Sequence, residues 1–230
     1  MVTKALKSLF RGGVHDAKER LSKPKEEDEF ATPLGLRHGA AVDIDTLPLR
    51  MHAEDLHLEL PDQTKIIVAQ GFVDLGDDTY VHRFYAADDT LIQILTAQGV
   101  EDQHIQEITL YVPYESFYPS RPEDWQQWTG DKGRLGAPKY RFDDGTIYNR
   151  IWFDDTEDHV DPVEFTEKIY DDAESDTPRE ISQKVMLFGR NLEAGKKNEY
   201  LLLAVESYDG ETTVELMVGV DLEMTDLNVI

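Results

Sequence analysis

The chain has 230 residues, 40% of them hydrophobic, which is enough to bury a core of ordinary size. Its 47 acidic against 23 basic residues leave a formal charge of −24, which repels nucleic-acid backbones and anionic membranes from the body of the protein, so nucleic acid is excluded as a partner. There is no cysteine, which removes disulfides, thiolate metal sites and thiol nucleophiles, and no apolar run near the ~18 residues of a spanning helix.

The start, MVTKALKSLFRGG, has no apolar stretch of signal-peptide length, so the expected location is cytoplasmic, or peripheral to the inner membrane. Residues 1–25 carry seven Lys/Arg against Asp16 and Glu19, so a basic head precedes an acidic body. Val2, Ala5, Leu6, Leu9 and Phe10 recur at helical spacing, and Val14, Ala17 and Leu21 continue the stripe past Gly12 and Gly13. This predicts an amphipathic helix weakened at the glycine pair. Two readings compete for it. It docks on its own domain, or Leu6, Leu9 and Phe10 enter a membrane surface or partner groove with Lys4, Lys7 and Arg11 at anionic headgroups. LSKPKEEDEFATP then reads as a linker, giving a head over 1–29 and an acidic β-rich domain over 30–230.

Strand patterns follow at LHLEL (56–60), KIIVAQGFVDL (65–75), TYVHRFYA (79–86), TLIQILTA (90–97) and QEITLYV (106–112), the last limited by Pro113. PEDWQQW (122–128) reads as one short helix near 122–129, because Pro122 suits a first turn and Glu123 and Asp124 suit its positive end. KYRFDDGTIYNRIWF (139–153) places Asp144-Gly145 between two alternating runs, a strong hairpin signal. PVEFTEKIYDD (162–172), EISQKVMLFGR (180–190), EYLLLAVES (199–207) and TTVELMVGVDL (212–222) bring the set to about ten strands, with ESYDGETT as a second hairpin turn. Strands do not alternate with helices of 10 or so residues, so the expected class is mainly β, a β-rich α+β fold with antiparallel strands in a sandwich-like or two-lobed arrangement. An internal echo between Gly76, Tyr80, Arg83 and Gly145, Tyr148, Arg150 places the lobes at about 40–112 and 138–222.

Three groups invite a chemical reading. Asp-Asp-Thr occurs at 77–79, 88–90 and 154–156, each beside an aromatic run, and reads as a turn signature because Asp accepts from backbone amides two residues on. In the third copy Asp154, Thr156 and Asp158 fit the start of a calcium loop, but His159 stands where the loop needs Gly and Phe165 where it needs Glu. Glu54 to His57 and Glu101 to His104 repeat the Glu-x-x-His spacing of di-iron helices, yet both lie in or before strand patterns, so no metal and no cofactor are expected. On the strand at 79–86, Tyr80, His82 and Phe84 share one face and Val81, Arg83 and Tyr85 the other. Tyr80, His82 and Arg83, with Tyr148, Arg150 and Trp152, could line a groove. The plainer reading is a half-buried strand with a snorkelling Arg. No nucleophile motif or phosphate loop completes a catalytic set, and no catalytic residue is assigned.

Taken in order, PLGLRHGAAVDIDTL (33–47), the VAQGFVDLG to HRFYAADD run (68–89), the W-x-x-W-x-G of Trp125 to Gly130, DDGTIYNRIWFDD (143–155), MLFGR (186–190) and EYLLLAVE (199–206) resemble the YjfK-like family of uncharacterised bacterial proteins, over about residues 33–225. The resemblance implies no activity and no site residues. It does imply an association with an envelope-related module, since family members are encoded near PspA relatives and small membrane proteins. The leading expectation is therefore a non-enzymatic protein that binds protein partners, PspA-like or membrane-associated, with peripheral membrane contact through residues 1–22. The alternative is an enzyme or small-ligand-binding domain using the groove. On the membrane reading, deletion of residues 1–22 abolishes co-sedimentation with anionic liposomes; unchanged sedimentation excludes it.

Overall fold

The computed structural model describes residues 32–50, 52–61, 64–153, 158–171, 177–192 and 197–230. The expected N-terminal helix, with Lys4, Leu6, Lys7, Leu9, Phe10 and Arg11, lies outside the described residues. In chain order the elements are β1 (Ala41–Ile44), α1 (Leu47–Arg50), β2 (Thr64–Gly76), β3 (Thr79–Ala86), β4 (Leu91–Ala97), β5 (Ile105–Phe117), α2 (Pro122–Thr129), β6 (Lys139–Arg141), β7 (Ile147–Arg150), β8 (Val163–Tyr170), β9 (Arg179–Asn191), β10 (Asn198–Tyr208), β11 (Glu211–Leu222) and β12 (Leu227–Val229).

The mainly β, antiparallel class and the short helix at 122–129 are as expected. The sandwich is not what forms. Strands β2 to β5 make one antiparallel meander and β8 to β11 another, and both pairs of edges are hydrogen-bonded: β5 to β11 from Ile108 to Phe117, and β2 to β8 over Gln70–Phe72. The circuit β2-β3-β4-β5-β11-β10-β9-β8 therefore closes into an eight-stranded barrel, which leaves it no open edge. Coiling that tightly needs bulges, and the ladders shift register at Ile67/Ala69, Asp74/Gly76, Leu95/Thr96 and Leu216/Met217. The last shift explains a second correction. β5 continues through Pro113 to Phe117 because the bulge opposes Met217 to Pro113 and Leu216 to Glu115, letting a residue without an amide proton sit within the strand.

The turns follow their sequence signals. Asp77 and Asp78 both have positive φ between β2 and β3, as do Asp209 and Gly210 between β10 and β11, the backbone that two-residue hairpins require. The second Asp-Asp-Thr forms the β3–β4 turn, where Asp89 has φ 62° and Asp88 accepts from Lys65 Nζ at 2.5 Å. The third copy lies outside the described residues. In the β6–β7 hairpin Gly145 takes φ 93° and Thr146 N donates to Asp144 Oδ1 at 2.8 Å.

Along β3, β4 and most of β10 both faces of the barrel wall are buried. The outward set, including Phe84, Ile92, Leu110, Leu201, Leu203 and Phe188, joins one apolar cluster with Leu36, Val42, Ile44, Leu49 and Leu58 from the segment before β2, and with Trp128, Leu135, Tyr140, Phe142 and Trp152 from the crossover between β5 and β8. The segment 56–60, expected as a strand, is an irregular part of that cover; its alternation records Leu58 packing inward, and Leu58 N donates to a side chain instead of a ladder. The echo between Tyr80-Arg83 and Tyr148-Arg150 falls on non-equivalent strands, β3 within the circuit and β7 outside it. Along the β5–β11 seam Tyr111 opposes Gly219, and a Cβ on Gly219 would stand 2.4 Å from the Tyr111 ring. Gly219→Val is expected to cost about 1–3 kcal/mol by overpacking, lowering Tm by roughly 3–10 °C at this chain length; an unchanged melting curve would contradict the seam.

Candidate functional site

In the barrel circuit the neighbours of β3 are β2 and β4. Arg83 on β3 nevertheless reaches β8 and β9: its Nη1 donates to Glu167 Oε2 at 2.6 Å and to Gln183 Oε1 at 2.9 Å, while Nε donates to Gln93 Oε1 on β4 at 3.0 Å. Bonds between strands that are not neighbours run through the interior, so Arg83, Glu167, Gln93 and Gln183 lie in the lumen. Tyr85 O–H donates to Glu167 Oε1 at 2.8 Å, and Gln183 Nε2 donates to Glu167 Oε2 at 2.8 Å and to Glu206 Oε1 at 3.1 Å. The Arg83 guanidinium also stands 5.6 Å from the centre of the Phe165 ring. Gly71 on β2 makes the room, since a Cβ there would lie 1.9 Å from Glu167 Oε1.

Burial sets the electrostatics. Arg83 is 3% exposed and Glu167 0%. Burial alone would lower the Arg83 pKa, but the attraction of Glu167 outweighs it and the group stays a cation. The Tyr85 hydroxyl is pushed well up, by burial first and then by the Glu167 charge. Glu206 is pushed up to about 7, again by burial first, with Glu167 and Glu215 adding.

Above this network, at the end of the barrel bearing the β3–β4, β8–β9 and β10–β11 turns, opens a cavity of about 450 Å³. That volume lies within the usual range for a small-molecule site, roughly 300–1,000 Å³. Ala69, Leu91, Ile169, Ile181, Leu202 and Ala204 form apolar walls, and Arg83, Tyr85, Glu206 and Glu215 supply the polar groups. At the rim Arg179 is held bidentately by Asp171, Nε to Oδ2 at 2.6 Å and Nη2 to Oδ1 at 2.8 Å, and its guanidinium lies over Tyr208. Ser116 Oγ donates to Glu215 Oε2. A second concavity, lined by His57, Glu59, Pro113 and Tyr114, is smaller at about 210 Å³.

The six groove residues do not converge. Arg83 is in the lumen. Tyr80 and His82, on the opposite face of β3, are buried among Phe72 and each other, and burial lowers the His82 pKa to about 4. Tyr148, Arg150 and Trp152 belong to the outer layer, where Arg150 Nη1 donates to Gly136 O at 2.9 Å. Tyr148 instead completes a staple centred on Glu199 of β10. The fully buried Glu199 carboxylate accepts from Tyr148 O–H (2.5 Å), from Arg190 Nε and Nη2 (2.8 and 2.6 Å) and from Leu58 N (2.8 Å). His57 lies over this staple, Nδ1 3.0 Å from Tyr148 Oη and Nε2 2.8 Å from Asp144, whose pKa falls to about 2 through the Thr146 amide and then His57. His57 thus pairs with the β6–β7 turn and not with Glu54. Glu101 and His104 do meet, at 3.3 Å within a single 3-10 turn. Among the described residues no three His, Asp or Glu gather as metal ligands.

Reasoning from the sequence missed Glu167, Gln183, Gln93 and Glu206. Their only local signal is a polar residue whose same-face neighbours two positions away are apolar, as Gln93 between Leu91 and Leu95 and Gln183 between Ile181 and Val185.

The sequence model of a family described as "Protein of unknown function (DUF2491)" matches residues 9–228, so the match takes in part of the basic head as well as the barrel. The chain is 26% identical over 202 residues to "Uncharacterized protein YjfK" of Escherichia coli (strain K12), covering 86% of this chain and 90% of that protein. No solved structure matches.

Glu167→Gln leaves the Arg83 charge buried without its carboxylate and is expected to cost about 3–5 kcal/mol in urea unfolding. Replacing both partners, Arg83→Met with Glu167→Leu, removes the stranded charge and costs much less. Equal losses in the single and double variants would contradict a pair that crosses the lumen.

Proposed function

The chain belongs to the DUF2491 family of unknown function, and from the geometry of the barrel mouth we propose that it is a binding protein that takes a small molecule into the open end of its lumen. One observation carries this reading: an open cavity whose floor is a buried polar network spanning β3, β4, β8, β9 and β10. The outer face of β3, β4 and β10 packs mainly through apolar side chains, among them Phe84, Ile92, Leu201 and Leu203. A lumen filled in that way would avoid the desolvation of Arg83 and Glu167, which is costly even for a paired charge. Buried polar groups at the base of an opening are where a site is built at the expense of packing.

Binding accounts for the mouth better than catalysis. Its hydroxyls, Tyr85 and Ser116, are each engaged by a carboxylate, and among the described residues no histidine lines it to relay a proton. The basic, amphipathic character of residues 1–22 supports a separate proposal, that the head attaches the protein to a partner or membrane surface while the barrel binds its ligand.

A thermal-shift panel of small amines, carboxylates and polyols tests the reading. At least one class is expected to raise the Tm of the parent protein and not of Val68→Trp, which fills the mouth from its exposed rim; a panel that leaves the parent unchanged would contradict it. Glu206 gives a second test. Its folded pKa of about 7 lies above the ordinary 4.5, so the folded state holds a proton that the unfolded state releases. The resulting cost is absent below pH 4.5, grows as pH rises to 7 and is constant above. Glu206→Gln removes it, so the variant should gain about 1–3 kcal/mol over the parent at pH 8 and nothing at pH 4. A difference independent of pH would place Glu206 in water.

A further inference from the structure

The cations and carboxylates of the mouth do not balance. Arg83 is held by Glu167 and Arg179 by Asp171, each cation with its own carboxylate. Glu206, Glu215 and Asp89 line the same cavity, and among the described residues no Lys or Arg forms an ion pair with any of them. Glu206 lines the cavity, and its one hydrogen bond among the described residues is that from Gln183 Nε2 to Oε1. Glu215 is near enough to Glu206 to disfavour its ionisation. Beside these carboxylates the wall is apolar, with Leu91, Ile169, Ile181, Leu202 and Ala204. The net charge of −24 draws cations toward the opening and repels anions.

We infer that the ligand of the mouth is a small organic ammonium, its charged nitrogen held by Glu206 and Glu215 and its alkyl part laid on the apolar wall. This rests on the mouth being a small-molecule site. An ammonium there supplies the missing counter-charge and donates to the Glu206 carboxylate, and its alkyl carbons exchange water for Leu, Ile and Ala side chains. Glu206 faces Glu167 and Arg83 from across the lumen, Gln183 from β9, Glu215 from β11 and Arg179 from the rim. The ammonium pairs with the carboxylate and not the carboxylic acid, so each binding event displaces the proton that Glu206 carries below pH 7.

Calorimetric titration of the full chain with hexylammonium, hexanoate and 1-hexanol tests the inference. Hexylammonium is expected to bind once per chain at pH 8 and about ten-fold more weakly at pH 6, because a group with a pKa of about 7 is then about ten-fold less ionised. Glu206→Gln and, separately, Glu215→Gln should each weaken it at least ten-fold, while hexanoate and 1-hexanol bind to neither parent nor variants. Hexylammonium binding that both variants leave unchanged places the cation elsewhere on the acidic surface and overturns the inference. Hexanoate or 1-hexanol binding in its place, blocked by Val68→Trp, also overturns it but leaves the small-molecule reading standing. Failure of all three, together with the wider panel, overturns both.

Discussion

The Arg83 guanidinium donates to Glu167 from the far side of β2, and that bond ties the charge of the lumen to the closure of the barrel. A buried Arg is tolerable only where carboxylate and amide oxygens surround it. Here they come from β4, β8 and β9, strands brought around one point by the short β2·β8 seam. The dependence runs both ways. Closing the seam without Arg83 would leave Glu167 buried as a lone anion, and placing Arg83 without the seam would leave it facing strands too distant to bond. Gly71 sits at the same point, because any side chain there would occupy the position of the Glu167 carboxylate.

Glu199 and Glu206, both on β10, show how environment divides chemically identical side chains. Glu199 points outward and accepts four hydrogen bonds, which fix the irregular segment around Leu58 and the β6–β7 hairpin onto the wall. It is saturated and structural. Glu206 points into the lumen, accepts one bond from Gln183 and retains a proton near neutral pH because burial and two other carboxylates oppose its ionisation. A carboxyl group left in that state at an opening has capacity for a ligand; one locked between Tyr148 and Arg190 does not.

Much of this was legible from local pattern. The alternation of TYVHRFYA separates Arg83 and Tyr85 from Tyr80 and His82, and the barrel uses that division, one set inside and the other out. The Asp-Asp-Thr copies at 77–79 and 88–90, Asp144-Gly145 and Asp209-Gly210 mark turns, where Asp77, Asp78, Asp89, Gly145, Asp209 and Gly210 take positive φ and the chain reverses. Alternation, however, assigns residues to faces without saying which face becomes the interior. Tyr148 and Arg150 are expected from the sequence to share a groove with Arg83, but they lie on β7 in the outer layer, and alternation within β7 carries no sign of which layer the strand joins. Closure itself depends on a few pairs between residues about 100 positions apart, and no window of sequence contains them. The strand expected at 56–60 fails for a related reason: Leu58 alternates because it packs, while its amide serves Glu199.

The most direct measurement is the 15N-detected exchange of arginine side chains with solvent at neutral pH. A guanidinium locked across the lumen keeps a sharp Nε–H resonance for Arg83, with Hε protected by Gln93 and persisting far longer than that of the exposed Arg121. Opening the β2·β8 seam by Gly71→Ala should accelerate it toward the Arg121 rate. An Arg83 Hε that already exchanges as fast as Arg121 in the parent protein would contradict a closed barrel organised around this pair.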